Sequence, residues 1–92
     1  MGRVWSEMTF FRILWDDPQD SYGNVQHIAE HGLDIEDVEE VLSSPHSDGI
    51  SDSSGLPIVW GYTLERVYII VVYERIDEDT VRVVTAYPVP EP

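Results

Sequence analysis

Residues 24–45, reading NVQHIAEHGLDIEDVEEVLSSP, constrain the fold more than any other stretch, because they encode two short helices and the corner between them. Val25, Ile28 and Ala29 form an i, i+3, i+4 apolar stripe, and Gly32 stands where a left-handed C-terminal cap belongs. Asp34 opens the second helix as its N-cap, with Leu33 and Val38 at the two positions of a hydrophobic staple. Ile35, Val38, Val41 and Leu42 are expected to face inward, and Glu36, Asp37, Glu39 and Glu40 outward. Acids in the first turn suit the helix dipole, and Pro45 ends the element. Upstream, Asp16-Asp17-Pro18 is a helix-start signal, weakened by Gly23, so firm helix is expected from about Asp20 or Ser21.

Strands are expected on either side of this corner. Residues 9–15 (TFFRILW) are aromatic and β-branched enough for a first strand. Residues 46–57 read as a polar, glycine-bearing loop. Strands over residues 58–63, 67–74 and 80–87 follow, joined by links short enough for antiparallel hairpins. The middle one is apolar on both faces and therefore central, while Pro88 and Pro90 are expected to stop further pairing. The predicted architecture is α+β in the order β-α-α-β-β-β, with a mainly antiparallel four-stranded sheet and both helices on one face. A site would lie on the opposite face. Ninety-two residues make one domain, 1–92, with a core of about residues 9–87.

Apolar residues at 42% and ten aromatics indicate a folded globule, and the absence of cysteine excludes disulfide and thiolate chemistry. The start, MGRVWSEMTFF, lacks a continuous apolar run, and the longest such run, residues 67–73, is far too short to span a membrane. A cytoplasmic location is therefore expected. Net charge is −13, with all five basic residues arginine, and residues 16–52 hold eleven acids and no base. Charge of this sign repels phosphate backbones. Its concentration in one segment leaves another face able to be locally neutral or basic.

These words in this order resemble the BrnT family of toxins, which share the RelE-type ribonuclease fold. The resemblance is carried by Trp15-Asp16 ending the first strand, Asn24, His31-Gly32 and the acidic amphipathic helix ending in Pro45. Gly61 and the closing strand Arg82-Val83-Val84-Thr85-Ala86 complete it, so it spans residues 9–87. It implies a type II toxin–antitoxin component that cleaves RNA without a metal or cofactor. It also implies a co-encoded partner, a small DNA-binding antitoxin. The chain departs from the family at Tyr87, where an arginine is common, in its poverty of basic residues, and in lacking a glycine before Arg66.

RNA cleavage through the 2′-hydroxyl needs a base, an acid and a cation against the phosphate charge. Arg82 is the first candidate cation, since a guanidinium fits phosphate bidentately; the competing role is an ion pair with a neighbouring acid. Tyr87 offers a phenolic proton or a stacking surface, or else packs as an edge-strand aromatic beside Pro88. His27 and His31, one helical turn apart, are candidate acid/base groups, because an imidazole exchanges protons near neutrality. His31 alternatively bonds terminal carbonyls at the helix end, and His27 is alternatively a solvated helix residue. Arg12 and Arg66 are candidate phosphate contacts, and Arg75 is expected to pair locally in its hairpin. Trp60 and Tyr62, on one strand face opposite Gly61, are candidate base-stacking residues or else core. His27, Glu30 and His31 also match the short H-x-x-E-H zinc pattern, but so small a chain leaves little room for a third ligand and a cleft, so no metal is expected.

Two functions follow. One is a BrnT-like ribonuclease toxin acting through Arg82. The other is a non-catalytic acidic interaction protein on the same scaffold, binding a basic partner through its negative helices.

Overall fold

The computed structural model describes residues 12–92. Along the chain run β1 (Arg12–Leu14), α1 (Asn24–Ala29), α2 (Ile35–Ser43), β2 (Ser47–Ile50), β3 (Pro57–Tyr62), β4 (Tyr68–Arg75) and β5 (Thr80–Pro88). The strands form one sheet in the order β1-β5-β4-β3-β2; β1 runs parallel to β5 and every other pair is antiparallel. The class is α+β as expected, but the sheet is mixed and five-stranded. The added strand is β2, inside the expected loop. Its sequence, Ser-Asp-Gly-Ile, has no apolar alternation, because an edge strand needs only backbone pairing with β3 to form. Residues 9–11 of the expected first strand lie outside the described residues.

The helical corner follows its sequence signals closely in the second helix and less so in the first. Asp34 caps α2 through a reciprocal box: its carboxylate accepts from the Asp37 amide at 2.9 Å, and the Asp37 carboxylate accepts from the Asp34 amide at 3.0 Å. Val38, Val41 and Leu42 are buried, each contributing about 1.5–3 kcal/mol of transfer free energy. Gly32 takes a φ of 81°, as a left-handed cap requires. α1 begins at Asn24, later than expected. The Asp17 and Asp20 carboxylates instead accept from the amides of Gln19 and Tyr22, turns that compete with helix. Gly23 has a steric task here: a Cβ would come within 2.6 Å of the Asp16 Cβ, so only glycine lets the loop after β1 close onto the helix start.

α1 packs over β5, and α2 over β3 and β4. Ile28, Val38, Val41, Val59, Ile69, Val71, Val81, Val83 and Ala86 fill the space between helices and sheet. The other sheet face is not bare. Ile58, Ile70 and Val72 form a second apolar cluster there, with Leu56, Trp60, Val84 and Val89 packed around them. β4 is thus buried on both sides, which its unbroken apolar run anticipates.

Two features of β5 correct the sequence reading. Its register against β4 passes from Tyr73↔Val83 to Val72↔Thr85, so Val84 is an extra residue at a bulge. Strand alternation alone would put Arg82, Val84 and Ala86 on one face; beyond the bulge Ala86 instead turns into the helix-side core. Pairing also continues through Pro88, whose Cα partner is Ile69, and the Val89 amide donates to the Tyr68 carbonyl at 3.0 Å. Proline is tolerated because the hydrogen bond to β4 at this end comes from its successor.

Candidate functional site

The expected site residues separate into two groups, one running from Arg82 to Tyr87 and the other around Tyr62 and Arg66. The first lies where β1, α1 and β5 meet. Asn24, 4% exposed, donates its side-chain amide to the carbonyls of Leu14 at 3.1 Å and Val83 at 3.0 Å. Its side-chain oxygen accepts from the Asp16 amide, and the Asp16 carboxylate accepts from the Asn24 amide, both at 2.8 Å. The same Asp16 oxygen receives the Arg82 Nη2 at 2.8 Å, with the two side chains 26% and 38% exposed. The backbone amide of Asn24, above all, and the Arg82 guanidinium hold the Asp16 carboxyl below its ordinary range, against a smaller opposing effect of burial. Arg82 therefore serves as one member of a clamp joining three chain segments, the ion-paired role its sequence position also allowed.

His27, His31 and Tyr87 continue along this edge. The imidazoles stand 5.4 Å apart edge to face, and His31 lies 5.7 Å from the Tyr87 ring, all three side chains being exposed. They form a row over the C-terminal end of α1. Arg82 and Tyr87 are five positions apart on β5 but face β4 residues only four positions apart because of the bulge, about 13 Å at ordinary strand rise.

The second group is at the turn end of β3 and β4. Tyr62 and Tyr68 are Cα partners on the helix-free side, with ring centroids 4.8 Å apart. The His46 ring lies 6.0 Å from Tyr62 and 5.7 Å from Tyr68, and its Nδ1 shares a 3.2 Å hydrogen bond with the Tyr68 hydroxyl. Arg66 places its Cζ 4.9 Å from the Tyr62 ring centroid, a cation–π contact. The Tyr62 hydroxyl donates to the Glu91 carboxylate at 3.1 Å; burial first, and then that carboxylate, hold the phenol above its ordinary range. The link 64–66 is a three-residue hairpin loop. Its last residue, Arg66, has a φ of 68°, the left-handed conformation usually given to glycine.

Of the expected substrate contacts, Tyr62 and Arg66 come together. Trp60 is half-buried in the second apolar cluster, the packing role. Arg12 lies at the opposite end of the sheet, where its charge helps lower the Asp77 pKa as the last of several causes, the Asp79 amide being the largest. Arg75 donates to the Glu78 carbonyl at 3.1 Å within its own hairpin, as expected. Sequence reading did not single out His46 or Tyr68. Tyr68 was within reach, since closing a three-residue loop at Thr63 and Val67 makes Tyr62 and Tyr68 partners. His46 was not, because its approach depends on β2.

A separate apolar groove of about 330 Å³ lies over the helical corner, lined by Pro18, Val25, Ala29, Leu33 and Ile35 together with Asp34 and Glu36. Ile35, expected to face inward, and the stripe residues Val25 and Ala29 line this groove. Among the described residues no three histidine or acidic side chains converge as a metal-ligand set, and no helix is long and apolar enough to cross a membrane. Comparison with protein-family models, curated proteins and solved structures gives no match to this chain.

Proposed function

We propose that this chain is a BrnT-like toxin of a type II toxin–antitoxin system, a metal-independent endoribonuclease acting in the cytoplasm and held inactive by a small DNA-binding antitoxin. The observation that supports it is the grouping of His46, Tyr68, Tyr62 and Arg66 within hydrogen-bond and stacking distance at one sheet end. In this reading the RNA phosphate meets Arg66, which the Tyr62 ring supports. His46, oriented by the Tyr68 hydroxyl, takes the 2′-hydroxyl proton. The 2′-oxygen–phosphorus bond forms as the bond to the 5′-oxygen breaks, and a proton from an acid of the site or from water leaves with that oxygen. The products are a 2′,3′-cyclic phosphate and a 5′-hydroxyl end.

The test is cleavage of a mixed-sequence oligoribonucleotide in the presence of a metal chelator, with the product ends identified. His46→Ala is expected to slow cleavage about 100-fold, the lower range for loss of a general base. RNA left intact by the wild-type chain, together with normal growth on induced expression, would overturn the reading.

A second reading has its own observation. The groove over the helical corner is lined by apolar side chains together with Asp34 and Glu36, in the segment that carries eleven acids and no base. This favours an interaction protein that receives an aliphatic or aromatic anchor flanked by basic residues. Its signature is binding to a basic partner that weakens steeply with salt and is lost on Ala29→Arg, with the β3–β4 turn unaffected.

A further inference from the structure

We infer that the turn end of β3 and β4 is a binding subsite for a phosphate-class anion, formed by Arg66, Tyr62 and His46, with the carboxylate of Glu91 occupying the Tyr62 hydroxyl in the free chain. The inference rests on the ribonuclease reading only for taking that anion to be RNA.

Arg66 occupies the third position of its hairpin loop, where the left-handed backbone favours glycine. An arginine there sacrifices local backbone preference and gains a side chain that folds back over the Tyr62 ring. A cation–π contact takes up none of the guanidinium N–H groups in a hydrogen bond to a carboxylate, so they remain donors for a bound anion. Arg66 forms no ion pair among the described residues, in a chain with 18 carboxylates, whereas Arg82 is paired.

A carboxylate already occupies the hydroxyl of the same tyrosine. Glu91 accepts from the Tyr62 hydroxyl, brought there by the backbone pairing of Val89 with Tyr68. The His46 ring flanks the same tyrosine. A phenol O–H, a guanidinium edge and an imidazole N–H together make the donor set that a phosphate uses, and a carboxylate is the side chain that most nearly imitates one. Glu65 stands next to Arg66 on the same turn, and Asp48 two residues after His46. Bound phosphate must displace Glu91, so that glutamate acts as an internal competitor.

The experiment is a two-dimensional NMR titration of the full chain with inorganic phosphate, and separately with a 2′-O-methyl oligoribonucleotide that cannot be cleaved. Saturable shifts are expected at Arg66, Tyr62 and His46. Glu91→Gln is expected to tighten phosphate binding about tenfold by removing the competing charge. Arg66→Gly is expected to abolish the saturable shifts while the remaining spectrum stays native. Equal binding by Arg66→Gly, or Glu91→Gln no tighter than the wild type, overturns the inference. Phosphate binding with this mutational pattern, but no RNA cleavage, leaves the subsite standing and removes the ribonuclease reading. Cleavage of RNA with Glu91→Gln unchanged does the reverse. Shifts from the oligoribonucleotide as well as free phosphate assign the anion to a nucleic acid backbone; shifts from phosphate alone assign it to a small metabolite.

Discussion

Arg82 and Arg66 sit on the same sheet, and the chain uses them in opposite ways. Around Arg82 every polar group is turned inward: Asp16, Asn24 and the carbonyls of Leu14 and Val83 satisfy one another across three segments. Around Arg66 the guanidinium lies on an aromatic ring, and its own backbone is held in a disfavoured conformation. A cation tied to a carboxylate by a 2.8 Å hydrogen bond has its charge partly answered within the fold. A cation held on a tyrosine ring keeps its N–H groups as donors. The comparison teaches that the charge type expected of a site does not locate it. The partners do.

The largest test of this contrast is Asn24→Ala. It removes two donors to buried carbonyls and one acceptor, and is expected to cost about 3 kcal/mol in chemical denaturation. A loss below about 1 kcal/mol would mean that the clamp is not structural.

Asp16→Asn comes next, at about 1–2 kcal/mol near neutral pH, and it carries a pH signature. Because the native carboxyl is held below its ordinary value, its contribution is fully present above about pH 3.9, the unfolded value, and is lost as pH falls through the lower native one. The stability difference between wild type and Asp16→Asn should therefore be constant from pH 7 to about 4.5 and close in stronger acid. A difference that grows on acidification would contradict the assignment.

Arg66→Gly should act in the other direction, raising stability by about 1 kcal/mol by relieving the left-handed strain. A destabilised Arg66→Gly would show that the arginine is retained for packing instead of binding.

The smallest effect is expected for Arg82→Ala, at about 1 kcal/mol or less, since its ion pair is half-exposed. RNA cleavage should survive this change. Collapse of cleavage in Arg82→Ala with His46→Ala unaffected would move the catalytic centre to the β5 edge and invert the comparison.

Much of the fold was legible because local chemistry decides it. Asp34 and Gly32 fix the limits of the helical corner by backbone hydrogen bonding and handedness, and the apolar run of β4 marks the central strand. The start of α1 was misplaced because Asp17 and Asp20 capture nearby amides, a contest that helix-start signals do not register. β2 was invisible because its stabilisation comes wholly from a partner strand.

The candidate site divides along the same line. Tyr62 and Arg66 were legible as chemistry-bearing residues, and a short hairpin loop places them within reach of each other. Arg82 was equally legible, yet its role turns on Asp16, 66 positions away in the chain. The bulge at Val84, which sends Ala86 into the core, likewise exists only where two strands meet. Amino-acid order by itself determined the helices, the strand count save one, and the sign of the surface charge, because these depend on neighbours along the backbone. Tertiary structure alone decided which arginine is consumed and which is offered, and that His46 joins the tyrosines, because ion pairs and ring contacts form between segments whose meeting no local pattern encodes.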